Sequence, residues 1–465
     1  MREALHIFRK DVRALWPQIL IALAVASLPV LVRDPQQSDK LIGVLVLARW
    51  FLVVSAVHQE KLVGDREWWL TRPNSWKSLL GAKLVLIAAF VQIPLLFSDL
   101  AILTSDGLQI AWGRLAARQI QLAIALVLPA AAVAAITPGL ASFGLAVLAI
   151  WIAIVIPAAN DSALMRWGPL EWIPPALMMA VFGITAMLLL LWQYSRRRTI
   201  PAAGVLGCAT IIGSGLLLLP PAGWGVALAS HDSGVFDAVG LEWDKSVAPS
   251  ATAGEHGQVT LNVPVYIARL PDGMLAQMEL AELSLKAPDG TRWQSNWGAV
   301  YERMFWVSGN SWTWTDPRHA TVAFTMNRDT LDRVQNQHTT WRVSAAFTVL
   351  GPERRQTVAS TNGEFAVAGF GFCVPGYDSV SYRPLYCRNS RPPSDRFEIA
   401  ESALAYSRPE GWMSGFSLTP SPVWSTVVDL PLERKGQPIT FLRRTPIARI
   451  RRDLVEQIRL GDYWK

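Results

Sequence analysis

No G-x-x-x-x-G-K-[ST] phosphate loop, no H-E-x-x-H, no G-x-S-x-G and no C-x-x-C occurs in this sequence. Phosphate-loop nucleotide hydrolysis, zinc peptidase, serine-hydrolase and dithiol redox chemistry therefore lack the residues they require. His231, His256, His319 and His338 are widely scattered, and no spacing suggests a metal site. Neither an enzymatic activity nor a cofactor nor a metal is expected. Charge is scarce as well: 17% of residues are charged against 51% hydrophobic, too apolar for an ordinary soluble protein. The net charge of +7 sits largely in short loops beside apolar runs, which points to membrane topology and not to nucleic acid. Beyond about Ser230 long apolar runs are themselves missing. That shortage divides the chain into a transmembrane, permease-like domain, 1–229, and an extracytoplasmic, β-rich domain, 230–465.

A bilayer core about 30 Å thick needs about 20 apolar residues in helical form. Candidate spans fall near 15–32, 41–57, 79–103, 115–136, 140–158, 170–192 and 202–226, so an α-helical bundle of six or seven spans is expected. Thr137-Pro138-Gly139 alone separates the fourth and fifth, which makes them a tight hairpin or a re-entrant pair. Arg2, Arg9, Lys10 and Arg13 precede the first run, and an uncleaved first helix is preferred over a signal peptide despite Ala24-Val25-Ala26. Basic residues in short loops stay in the cytoplasm. That rule places the head, the stretch with Lys61, Arg66, Arg72 and Lys77, and Arg196-Arg197-Arg198 inside. A multi-pass protein of the cytoplasmic (inner) membrane follows, with its N-terminus in the cytoplasm, its C-terminal domain outside and the lipid bilayer as a partner. Trp16, Trp112, Trp167, Trp172, Trp192 and Trp224 fall near expected span ends, where indoles anchor.

Arg49 falls within the second expected span, where a charge costs about 3 kcal/mol unless paired. Asp99 is its candidate counter-ion, or else lies near the outer interface. Together with Gln92 these residues either pair structurally or line a substrate path. Pro94, Pro129 and Pro157 are expected to kink their helices. Gly204, Gly207, Gly213 and Gly215 suggest close helix packing.

The loop after the second expected span runs H-Q-E-K-L-V-G-D-R-E-W-W-L-T-R-P-N-S-W-K over 58–77. Physically it is a short amphipathic segment: Trp68, Trp69 and Leu70 form an apolar patch, Pro73 stops it, and Asn74 or Ser75 can cap the next helix. Glu60, Gly64, Glu67, Trp68, Trp69, Leu70, Pro73 and Ser75, followed by Gly81 and Lys83, give this stretch its pattern. It resembles the signature of ABC-2 type transporter permeases, in which a Glu, a Gly, a second Glu, bulky apolar residues, a Pro and a Ser precede the third helix. Asp65 stands where that family commonly has Thr, Trp76 where it commonly has Arg, and the seventh span and external domain exceed its usual core. The resemblance implies that these residues couple the chain to a separate ATP-hydrolysing ABC subunit, and that the permease works as a homodimer or paired with a second permease.

From about Gly257 the pattern has period two, through Val259, Leu261, Val263, Val265 and Ile267. Further strands are expected at 282–287, 321–326, 341–350 and 364–370, with turns at Pro288-Asp289-Gly290 and Ser308-Gly309-Asn310. A two-sheet, sandwich-like, all-β domain is the favoured architecture, with a partly open barrel as the alternative. Trp306, Trp312 and Trp314 are either a core contribution or an exposed stacking surface. Cys373 and Cys387 lie close together and read as a disulfide, or as two buried thiols. Beyond Thr445 the stripe Ile447, Ile450, Leu454 and Ile458 suggests a basic C-terminal helix. Two functions remain: a permease subunit coupled through 58–78 to an ATPase, or a membrane-anchored extracytoplasmic binding or scaffold protein without transport activity.

Overall fold

The computed structural model describes residues 2–31, 35–59, 75–158, 167, 170, 172–220, 222–230, 234–254, 257–300, 306–307, 311–312, 319–359, 363–376, 382–391, 396–399, 408–410, 422–431 and 437–463. Helices occupy the first half: α1 Arg2–Ala14, α2 Trp16–Leu31, α3 Pro35–His58, α4 Trp76–Ile87, α5 Ile93–Ser105, α6 Trp112–Leu122, α7 Leu128–Ile136, α8 Leu140–Ala158, α9 Ile173–Arg196, α10 Thr199–Leu218 and the short α11 Gly223–Ala229. Two π-helical turns, Ala88–Gln92 and Ala123–Val127, join α4 to α5 and α6 to α7. Each lies just ahead of a proline, Pro94 or Pro129. Proline has no N–H and crowds the carbonyl four residues back, at Phe90 or Ala125, and a wider turn relieves that crowding.

Among the described residues, four continuous helices are long and apolar enough to cross a membrane: Trp76–Ser105, Trp112–Ile136, Ile173–Arg196 and Thr199–Leu218. The pair α1 and α2, bent by 77° at their junction, makes a fifth if counted as one span. This is fewer than the six or seven expected. The described apolar stretches of α3 and α8, Gly43–His58 and Leu140–Ile156, are shorter. The last expected span also closes early, since α10 stops at Leu218 ahead of Pro220-Pro221.

Helix α7 is the hub, with Ala130 through Ile136 all buried, and its run of alanines lets α3, α9 and α10 approach. A Cβ on Gly183 would come within 2.4 Å of Ile124, so α9 touches the second π turn there. Of the glycines expected to pack closely in α10, Gly213 does so, against Phe182, whereas a Cβ on Gly204, Gly207 or Gly215 would meet nothing within 4 Å. Large apolar side chains such as Leu145, Trp151, Ile156 and Ile211 face outward, as lipid contact requires and water would penalise.

The second half is built of antiparallel strands: β1 Gly240–Trp243, β2 Ser250–Ala253, β3 Gln258–Ala268, β4 Leu275–Lys286, β5 Arg292–Gln294, β6 Gly298–Ala299, β7 Trp306–Val307, β8 Ser311–Trp312, β9 His319–Asn327, β10 Thr339–Leu350, β11 Arg354–Val358, β12 Phe365–Val367, β13 Gly371–Pro375, β14 Tyr382–Asn389, β15 Arg396–Ile399, β16 Arg408–Glu410, β17 Trp424–Pro431, β18 Ile439–Arg444 and β19 Pro446–Ile458. One sheet joins β1, β2 and β9 to β3, and a second runs β19-β10-β4-β5 with β6 on β4. Their inner faces share one core, with Leu261, Val263 and Val265 of β3 opposite Leu283, Val343 and Phe347, and Trp243 edge-on to Trp341 at 6.0 Å. Gly290 turns the chain between β4 and β5 at φ +88°. Beyond these lie the sheets β11-β18-β15 and β12-β13-β14-β17-β16 with a smaller core of their own. Among the described residues no sheet closes into a barrel. Trp306 pairs in register with Trp312 across β7 and β8, while Trp314 and the 308–310 turn lie outside the described residues.

The expected C-terminal helix is instead β19, paired with β10 from Thr339↔Ile458 to Leu350↔Pro446. Ile450, Leu454 and Ile458 are spaced by four, which puts them on one face of a strand as well as of a helix. Ile447 decides between them: it would join a helical stripe, but it lies on the other face of the strand and is exposed.

The β region is seated on the bundle at the end of α5 remote from α4. Trp167, Leu170, Ile173 and Val226 pack against Leu280, Trp297 and Ala346. Arg388 reaches Asp106, the C-cap of α5, at 3.3 Å.

Cys373 stands opposite Cys387 across β13 and β14 and is bonded to it, closing a loop with a separation of 14 residues. Replacing both by Ser should destabilise that sheet by about 3 kcal/mol. Hydrogen exchange of the full chain at 371–375 and 382–389 would report the loss, while 258–268 should stay protected.

Candidate functional site

The loop that carries the family-like pattern leaves α3 at His58 and rejoins the bundle at Ser75. Glu60, Gly64, Glu67, Trp68, Trp69, Leu70 and Pro73 lie outside the described residues, and both anchor points lie within them. His58 Nε2 is 3.0 Å from the Ala134 carbonyl and 3.4 Å from Thr137 Oγ1, at the end of α7. Ser75 is the N-cap of α4, its hydroxyl oxygen accepting from the Ser78 N–H at 3.2 Å, as the sequence suggested.

Helix α1 holds the Ser75 end. The Ser75 N–H donates to Glu3 Oε1 at 3.0 Å and the Ser78 hydroxyl to Glu3 Oε2 at 2.8 Å. Deeper in, Lys83 Nζ meets Asp11 Oδ2 at 2.7 Å with both side chains essentially sealed from solvent, at 1% and 0% exposure. Phe8 stacks on Phe90 with centroids 6.2 Å apart.

A second polar group lies inside the bundle. Asp99, 1% exposed, accepts from Arg118 Nε at 3.0 Å and from Gln119 Nε2 at 2.9 Å. Asp99, the expected counter-ion of Arg49, bonds Arg118 and Gln119 instead, and Arg49 Nε is buried with no hydrogen-bond partner among the described residues. Arg118 lies half-way along α6. Gln92 lies at the end of the first π turn, and neither of its side-chain polar atoms has a partner among the described residues.

No protein-family model and no curated protein matches this chain.

In the β region Asp244 is buried against Ser246 and His319, with Oδ2 2.6 Å from His319 Nδ1 and Oδ1 accepting from the Ser246 N–H at 2.9 Å. Burial pushes the Asp244 carboxyl up, but the hydrogen bonds from Ser246 and His319 outweigh it and hold the group below the usual carboxylate range. Tyr266 lies beside the imidazole, with ring centroids 4.9 Å apart.

Two outcomes follow from these contacts. Asp11→Ala removes the carboxylate facing the buried Lys83 ammonium and should cost about 3–5 kcal/mol, whereas Asp11→Leu with Lys83→Met should be near neutral. Denaturant titration of the detergent-solubilised chain measures both. Because the Asp244 pKa is depressed by folding, its contribution is present at neutral pH and lost as pH falls through the folded value. Melting temperature should therefore drop less in Asp244→Asn than in the native chain between about pH 6 and about pH 3.

Proposed function

We propose that this chain is the membrane-spanning permease subunit of an ABC-2-like transporter, and that the 58–78 loop receives movement from a separate ATP-hydrolysing subunit. The observation that carries the reading is the anchoring of the loop at both ends to different parts of the bundle. Its His58 end is held by α7, and its Ser75 end by α1 through Glu3. The buried Asp11–Lys83 pair makes α1 and α4 one body, so a displacement of the loop shifts that body against α7. Glu60, Gly64, Glu67, Trp68, Trp69, Leu70 and Pro73 form the coupling element, and Ser75 fixes where the rigid helix begins.

The basic residues around α1 and the loop assign that end of the bundle to the cytoplasm. The β region, held at the other end by Asp106 and Trp167, then lies outside the inner membrane as a sandwich-like unit followed by a smaller disulfide-bonded one. With no phosphate loop in the sequence, ATP hydrolysis belongs to the partner, and the permease works as a pair.

A tagged chain purified from its own cells should bring down an ATPase. Trp68→Ala with Trp69→Ala should weaken that assembly by roughly thirtyfold, the size expected for truncating interface tryptophans worth about 2 kcal/mol. Recovery of the chain without any ATPase, or unchanged assembly in the double variant, refutes the coupling role.

A further inference from the structure

Helix α1 carries Arg2, His6, Arg9 and Arg13 at spacings of four, three and four, which sets them on one face of the helix, and all four are exposed. Lys10 flanks this stripe with about half of its side chain open. The opposite face packs inward: Ile7 and Asp11 are buried, with Phe8 and Val12 against the same core. Both carboxylates of α1 are spent on contacts to Ser75 and α4. Glu3 is taken by Ser75 and Ser78, and Asp11 by Lys83. Among the described residues no carboxylate pairs with Arg2, Arg9 or Arg13. Like charges one turn apart on a helix repel, so an anion laid along the stripe stabilises it.

The next helix shows what lies there. After a break at Leu15 the chain turns by 77° into α2, which is predominantly apolar from Ile19 to Leu31. Trp16, Leu20, Ile21 and Leu23 at its start are exposed, the kind of surface that lipid covers. That surface begins within three residues of Arg13. Leu5, on α1 itself, is exposed at the margin of the basic stripe. A basic, amphipathic helix turned across the end of an apolar one matches a helix lying at the headgroup boundary.

We propose that the exposed face of α1 binds the phosphates of anionic phospholipids in the leaflet at that end of the bundle. The planar guanidiniums of Arg2, Arg9 and Arg13 take phosphate oxygens, while Leu5 and Trp16 reach the acyl boundary beside them. Continuity with the lipid-facing surface of α2 selects the bilayer, and not an acidic protein, as the occupant. The contact would hold α1, and through Asp11 and Lys83 the start of α4, against the membrane surface. The proposal rests on the membrane placement of the bundle and not on the coupling role, because lipid binding requires no ATPase.

The test is native mass spectrometry of the full chain released from detergent micelles that contain phosphatidylglycerol and phosphatidylcholine in equal amounts with the same acyl chains. The native chain should retain phosphatidylglycerol in preference, and the combination of Arg2→Gln, Arg9→Gln and Arg13→Gln should lose about fivefold of that preference for each arginine removed. The three Arg→Lys changes keep the charge and should keep most of the preference, and rising salt should weaken it in the native chain. Arg9→Gln alone carries the test if the triple variant does not fold. Equal retention of the two lipids by the native chain overturns the proposal and leaves an acidic protein surface as the occupant. An undiminished preference in the glutamine variants overturns it by placing the lipid elsewhere on the chain.

Discussion

Lipid hydrocarbon offers a peptide N–H or C=O no partner, so a chain that enters it must close its hydrogen bonds within each helix. The first half of this protein obeys that constraint even where its sequence strains it. Pro94 and Pro129 each remove a donor from the middle of a long apolar helix, and at each the chain widens into a π turn without breaking. Within the second of these turns the Trp50 indole N–H donates to the Leu126 carbonyl. The same constraint makes every intramembrane polar side chain consequential. Asp99 accepts from both Arg118 and Gln119 through Oδ2, whereas its Oδ1 and Arg49 Nε are buried with no hydrogen-bond partner among the described residues.

The two ends of the bundle are finished differently. At one end an amphipathic helix bent by 77° from its neighbour is fastened to the start of α4 by a polar contact at Glu3 and a buried ion pair at Asp11. A buried ion pair is not a cheap way to gain stability, since its desolvation offsets most of its Coulombic attraction. What it does supply is a fixed relation between α1 and α4, next to the loop whose far end α7 holds. At the other end the fit is apolar, with Trp167 and Trp297 in one cluster and a single ion pair, Arg388 with Asp106, beside it.

Hydrophobic run length and period-two alternation made the two-part architecture legible before any coordinates. The long strands β3 and β10 and the Gly290 turn could be read because alternation and turn chemistry are local signals. Among the described residues the spans are fewer than run length suggested, and run length also overran an end, where α10 stops at Leu218 ahead of Pro220. β19 was misread because a spacing of four satisfies both periods, and only pairing with β10 selects the strand. Among the polar residues, local pattern could single out Arg49 and Asp99 but not Arg118, since the choice of partner depends on how α5 turns back onto α6. The Asp11–Lys83 pair was invisible for the same reason.

Sidedness is the claim on which the rest stands, and impermeant maleimide labelling of single cysteines in intact spheroplasts measures it directly. Lys77→Cys, beside the loop, and Asp289→Cys, at the exposed tip between β4 and β5, report the two ends. The account predicts labelling of Asp289→Cys from outside, and of Lys77→Cys only after the membrane is opened. Labelling of both from the same side, or the reverse pattern, contradicts it.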